Sequence, residues 1–302
     1  MSDIPITAPG TLWPRFRRSK IAMVSTAVLM LMILSALLAP LLATQNPFDP
    51  SALELINSLI PPTWISGDPR FLLGTDDQGR DVLAALLYGS RISLLVGVAA
   101  VLFAAILGVT VGLVAGYAGG WTDTAAMRIA DVQLTIPAIL IALMVDGLAR
   151  AALPPTVHDA AAIYVLIFSI GIADWPQYAR IVRAATAVQK TLGYVSAARV
   201  MGVPAPVIVL RHILPNVLTS VMVLATLGLA LAVIAEATLS FLGVGMPPTS
   251  PSLGTLIRIG NNFLFSGEWW ITLFPALTLV VLALAVNLLG DWLRDALNPK
   301  LR

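Results

Sequence analysis

The chain has 302 residues, of which 58% are hydrophobic and only 11% charged, with a formal net charge of +2; its mean hydropathy is +0.89. A soluble domain carries about a quarter charged residues, so this composition excludes an ordinary globular protein and points to a bilayer. The absence of cysteine excludes disulfides, thiolate metal sites and a cysteine nucleophile, and so small a net charge gives no argument for nucleic acid.

In chain order, the basic cluster Arg15, Arg17, Arg18 and Lys20 precedes the first apolar run, 21–43. That run is longer than the roughly 7–15 apolar residues of a cleaved secretory signal, so it reads as a retained first helix. Five more runs of spanning length follow at 92–116, 128–149, 160–182, 216–243 and 270–290. Their glycines and prolines are tolerable where neighbouring helices satisfy the freed backbone groups. Six crossings put both termini on one side. With that side taken as cytoplasmic, thirteen Arg and Lys residues fall inside and five outside, which is the positive-inside bias.

Between the first two runs lies a segment, 44–91, rich in Pro, Asp and Gly. Its Leu73-Gly74-Thr75-Asp76-Asp77-Gln78-Gly79-Arg80-Asp81-Val82 stretch gathers three carboxylates and an arginine. This predicts a solvated turn leading into a helix whose first amides are capped by acidic side chains. A carboxylate pair or a calcium loop is an alternative, although the EF-hand spacing and its closing Glu are absent. Further along, Pro137 is expected to bend the third helix. The second long outer segment, 247–268, is partly apolar and is expected to frame an outer mouth.

Ionisable residues within spans cost roughly 2.5–3.5 kcal/mol each at the helix centre, so each needs a reason. Asp131 and Asp291 fall near inner ends, Asp146 and Glu236 near outer ends, and solvation there accounts for all four. Asp174 falls deeper, in the inner third of the fourth run, and is a candidate to line a water-filled path. Glu236 is a second candidate for the pathway.

The most informative stretch is a basic polar island at 193–216, which contains Arg199, Arg211 and His212 and no acid. A short helix over Tyr194–Met201 is expected to present Val195, Ala198 and Met201, with small Ala197 and Ala198 permitting close approach. Gly202 would allow a sharp ending. Such an element is either a docking knob for a soluble partner or an amphipathic helix on anionic lipid.

Several pieces together resemble the second ("C") permease subunit of dipeptide and oligopeptide ABC importers. They are residues 73–94, Gly116–Asp123, Met127–Asp131, Trp175–Arg183, Arg211-His212-Ile213-Leu214-Pro215-Asn216, Glu236–Gly243 and Asn287–Leu297. They occur in family order and span residues from about 12 to 302. The resemblance implies an all-α membrane protein with six transmembrane helices in the type I ABC importer permease fold. It divides the chain into a cytoplasmic segment 1–20, helix 1 at 21–43, a small periplasmic subdomain at 44–91, a core at 92–290 and a cytoplasmic tail at 291–302. The coupling loop is then about 184–215, and Tyr194, Val195, Ser196, Ala197, Ala198, Arg199, Met201, Gly202, Arg211 and His212 become candidates for ATPase contact. Two departures stand out: Ser196 occupies a position that is often acidic, and Pro204 and Pro206 follow Gly202.

The implied partners are a sister permease, two ATP-binding subunits, a periplasmic substrate-binding protein and the lipid of a bacterial inner membrane. No G-x-x-x-x-G-K-[ST] run occurs in the sequence, so ATP and magnesium are expected in the partner subunits and no cofactor, metal or catalytic residue in this chain. A nickel-chelate or other small-solute permease is the alternative within the family. A secondary transporter is the alternative outside it, but no internal repeat of the kind such proteins show is evident. A membrane enzyme is disfavoured because the only histidines, His158 and His212, fall on opposite sides and no HExxH or GxSxG motif occurs.

Overall fold

A computed structural model describes residues 12–297 apart from 44, 50 and 52. Residues 1–11 and 298–302, including the tail cations Lys300 and Arg302, and the side chain of His158 lie outside the described residues. Among the described residues the chain is helical, with one isolated bridge between Thr75 and Asp81. The helices are α1 (Leu12–Arg18), α2 (Lys20–Leu37), α3 (Ala39–Leu42), α4 (Thr63–Ser66), α5 (Val82–Ala118), α6 (Gly120–Leu134) and α7 (Ala138–Ala152). They continue as α8 (Pro155–Gln189), α9 (Gly193–Val200), α10 (Ala205–Val207), α11 (Leu214–Phe241), α12 (Leu253–Asn261) and α13 (Trp270–Leu297), with a π-helical turn at Ile208–Ile213 before α11.

Five helices are long and apolar enough to cross a membrane, and the α6–α7 pair makes a sixth span if counted as one. The expected third helix, 128–149, is therefore not a single bent rod. It breaks at Thr135–Pro137, and its halves meet at 92°. Pro137 explains this: it has no N–H to give, and the residue before it is pushed out of the α region, so the chain restarts as α7 with Pro137 as its N-cap residue. α5 and α8 run well past their apolar runs, with 37 and 35 residues. At 1.5 Å per residue both exceed 50 Å, longer than a hydrocarbon core of about 30 Å.

The central seam joins α5 to α8. Gly108, Gly112 and Gly116 stand one turn apart on α5, and a Cβ at each would fall 2.4–2.7 Å from atoms of Tyr178, Ala179 or Arg183. Bare backbone here lets the helices approach where lipid offers no hydrophobic drive to hold them. A main cluster, including Val96, Ala100, Leu166, Val182 and Val217, fills the space between α5, α8 and α11. A second, built on Val233, Leu253, Trp270 and Leu282, binds α12 and α13 to α5 and α11.

At the start of α5, the Leu73–Val82 stretch is a buried knot rather than a solvated turn. Asp81 caps α5 as expected, accepting from Leu83 N at 3.0 Å. Thr75, Asp76, Arg80 and Asp81 are all within 2% of full burial. Thr75 accepts from Ile60 N and donates to Asn57 O at 2.8 and 2.6 Å, while its carbonyl accepts from Trp270 Nε1 at 3.0 Å. The carboxylates that looked like solvent-facing caps are consumed by internal bonds. Asp77, beside them, is half-buried, and burial followed by the charge of Asp76 pushes its carboxyl above the usual carboxylate range.

Candidate functional site

Two places could carry transport: the surface helix α9 at one end of the bundle, and a cleft around Asp174.

α9 ends by a double cap. Gly202 takes φ +75°, its N–H bonds to Arg199 O and the next, Val203 N, to Ala198 O, both at 3.0 Å. These are the two bonds of a Schellman motif, and the left-handed position is the one that glycine fills without strain. Nothing lies within 4 Å of a Cβ built at Gly202, so conformation, not crowding, selects glycine there.

The inward and outward faces of α9 differ from expectation. Val195 and Ala198 are buried, at 0% and 3% exposure, against the main cluster, and so cannot be presented to a partner. They sit three residues apart on one face, and that face is the one that docks α9 to the bundle. Tyr194, Ser196, Ala197, Arg199, Met201, Gly202 and Arg211 are exposed, and His212 is half-buried in the π-helical turn. Val200 and Met201 form the apolar tip, 90% and 74% exposed; Val200 was not among the expected contacts.

The anchors of α9 were also unforeseen. Tyr194 donates to Gln189 Oε1 at the end of α8 at 2.6 Å. Asn216 at the start of α11 donates to Tyr194 Oη at 3.4 Å and to His212 O at 2.8 Å. On the other flank, the Tyr117 ring lies 5.4 Å from the Arg199 guanidinium and 5.7 Å from Lys190 Nζ, and Lys190 donates to Tyr117 O at 2.5 Å. α9 is thus tied to the ends of α5, α8 and α11 together. Arg183 pairs with Asp123, holding α6 to the same end of α8.

The cleft lies between α7, α8 and α11 and holds about 90 Å³. Its walls are Ala138, Ile139 and Ala142, Ile170 and Ala173, and Ala235, Thr238 and Leu239, with Asp174 as its one ionisable group. α8 continues to Gln189, so Asp174 stands near mid-helix rather than in the inner third. Glu236 does not reach the cleft. It is fully buried and accepts from Ser93 and Ser240, each at 2.7 Å. Ser93 Oγ in turn accepts from Leu253 N at 3.3 Å, and Ser240 Oγ from Met246 N at 3.2 Å. One carboxylate therefore joins α5, α11 and α12, a structural hub rather than a pathway wall. Asp146 is likewise not end-solvated: it is 3% exposed and pairs with Arg150 at 2.6 Å. Asp131 and Asp291 are exposed.

Comparison with known proteins bears on the same regions. A family model described as a binding-protein-dependent transport system inner membrane component matches residues 108–302, which include α9, the cleft and their supports. A second, the N-terminal TM domain of oligopeptide transport permease C, matches 10–62. The chain is 39% identical to the dipeptide transport system permease protein DppC of Escherichia coli, over 100% of this chain and 96% of that one. It is 38% identical to the protein of the same name in Haemophilus influenzae, over the whole of both, and 35% identical to the di/tripeptide transport system permease protein DppC of Pseudomonas aeruginosa, over 100% and 96%. Among solved structures, the MetNI methionine ABC transporter in inward-facing form aligns with TM-score 0.53 and 24% identity, covering 70% of this chain and 96% of that one, which gives the fold of a type I ABC permease. With two family models spanning most of its length and full-length relatives at more than a third identity, the chain belongs to the family of binding-protein-dependent transport system inner-membrane components and is an ABC importer permease subunit.

Proposed function

We propose that this permease forms one half of an inner-membrane pathway for di- and tripeptides, completed by a sister permease and driven by two ATPase subunits that grip α9. Delivery would come from a soluble binding protein meeting the end of the bundle that carries α12 and the 45–81 segment. The relatives named above are peptide permeases, which favours peptide over a nickel chelate. Both termini are then cytoplasmic, a reading supported by the distribution of Arg and Lys. The observation that carries the coupling role is the construction of α9: a capped helix with an exposed apolar tip, bonded to α8 and α11 through Tyr194. A knob so held transmits a push to the spanning helices instead of absorbing it.

Replacing both Val200 and Met201 with Glu tests this. The expected result is loss of ATPase subunits from the purified complex with the sister permease retained. Undiminished ATPase capture would show that the tip of α9 is not the contact.

A further inference from the structure

The Asp174 carboxylate is the one charged group on a cleft whose other walls are apolar apart from Thr238. No Arg, Lys or His lines that cleft, and among the described residues no hydrogen bond or ion pair reaches Asp174. The other acids on the spanning helices are answered differently, Asp159 by an interaction of its own and Asp295 by exposure among them. Glu236 has two serines, Asp146 has Arg150, Asp123 has Arg183, Asp131 has Arg180 at 3.9 Å, and Asp291 is exposed. One turn along α8, the buried Tyr178 hydroxyl, turned towards Gly228, is also without a partner.

Depth adds to the case. Asp174 lies nineteen residues after the start of α8 at Pro155 and fifteen before its end at Gln189, near the middle of a helix that at 1.5 Å per residue is longer than a membrane core of about 30 Å. An acid held there against apolar walls, with no internal cation, is a site for an external one. At about 90 Å³ the cleft has room for roughly three water molecules' worth of ligand, which suits an ammonium and the carbons next to it and not a whole peptide.

We propose that Asp174 is the docking point for the α-ammonium group of the transported peptide, with Ala138, Ala142 and Ala235 leaving space for its first residue. This rests on the peptide-permease reading above and deepens it: the chain itself selects for a free, positively charged amino terminus. A single ion pair with apolar surroundings gives charge selectivity without a tight site, which suits a solute that must also leave.

The native lack of cysteine allows a direct test on the full reconstituted complex. With Thr238→Cys on the cleft wall, the rates of modification by 2-aminoethyl methanethiosulfonate, a primary ammonium, and by its 2-sulfonatoethyl counterpart are compared. The ammonium reagent is expected to be favoured, and Asp174→Asn to lower the ratio of the two rates by about tenfold, with Asp174→Glu restoring it. In the complex without the cysteine, Asp174→Asn is expected to reduce alanyl-alanine uptake per ATP hydrolysed while ATPase subunits stay bound. A rate ratio indifferent to Asp174→Asn overturns the proposal. Failure of the wild-type complex to move alanyl-alanine with ATP overturns the peptide reading instead, and the labelling ratio separates the two.

Discussion

Arg80 Nε lies 2.6 Å from Asp76 Oδ2 in a pair that is almost wholly buried, and Nη1 of the same guanidinium donates at 2.9 Å to the carbonyl of Pro248, 168 residues further on. One side chain therefore fastens the entry of α5 to the segment between α11 and α12. Removing one partner of a buried pair strands the other, a loss of about 3–5 kcal/mol. Arg80→Met is expected to lower the melting temperature of the purified protein sharply, and Arg80→Met with Asp76→Asn to lower it less than Arg80→Met alone. Additive effects of the two changes would show that the pair is not coupled.

The α5–α8 seam predicts a steep dependence on side-chain size. At Gly112 a Cβ would stand 2.6 Å from Ala179 O, so even Gly112→Ala is expected to cost about 1–3 kcal/mol by overpacking. Gly147 on α7 has nothing within 4 Å. There, Gly147→Ala is expected to be neutral or to stabilise by up to about 1 kcal/mol through helix propensity. Thermal unfolding in detergent reads both, and equal effects would contradict the geometry.

At Gly202 the argument turns on backbone angle. Because the space around it is open, Gly202→Ala and Gly202→Trp are expected to impose a similar cost of about 1–2 kcal/mol, the penalty of the left-handed conformation. Gly202→Asn should be milder. Thermal stability should follow the same order, with membrane insertion unchanged in all three. Uptake is expected to fall further for Trp than for Ala because the ATPase proposed to grip α9 would pack beside this turn, and equal uptake in the two would place the contact elsewhere.

Asp77 gives a pH dependence. Its folded carboxyl is raised by burial and by Asp76, and its Oδ1 is buried without a hydrogen-bond partner. The folded state then holds a proton more firmly than the unfolded state, so this group's contribution to stability falls as pH rises from the ordinary carboxylate range through the raised value. Asp77→Asn is expected to raise the melting temperature near neutral pH and to flatten its fall with pH. An unchanged slope would remove Asp77 as the titrating group.

Orientation is open to labelling. Single cysteines at Ser66 and Ser250 are expected to react with an impermeant thiol reagent from outside the cell. One at Ser196, exposed on α9, should react only in inverted membranes. Any reversal would contradict the inside placement of both termini.

The sequence made the spans legible because some twenty consecutive apolar residues have few other homes. It made the positions of breaks less legible. Pro137 read as a bend, yet the right angle between α6 and α7 depends on what each half packs against, with Gln133 donating to the Ile172 carbonyl on α8 and accepting from Trp175 Nε1. Orientation of α9 was beyond reach because eight residues carry too little periodicity to say whether Val195 and Ala198 or Val200 and Met201 face inward. Polar groups misled for two reasons: Asp76 and Asp146 pair with arginines only four residues on, a spacing visible in the sequence although the burial of the carboxylates was not, while Glu236 finds Ser93 across 143 residues, a contact only the structure supplies. The four-residue spacing of Gly108, Gly112 and Gly116 was visible in the sequence and is the signal that locates the α5–α8 seam.

That seam also limits how the subunit can change shape. Ridge and groove here meet as backbone against backbone, so a slide of α8 along α5 by even a fraction of a turn would drive Val182 or Thr186 into the α5 main chain. The pair must travel as one beam. Any alternation between an outward and an inward opening then falls to parts joined less closely: α7, hinged from α6 at Pro137, and the faces of α7 and α11 that border the Asp174 cleft. The pair runs from the level of that cleft, past Pro176 inside α8, to the root of α9, so a displacement imposed on the surface helix would be carried by both helices together and not taken up by slippage at the glycine stripe between them.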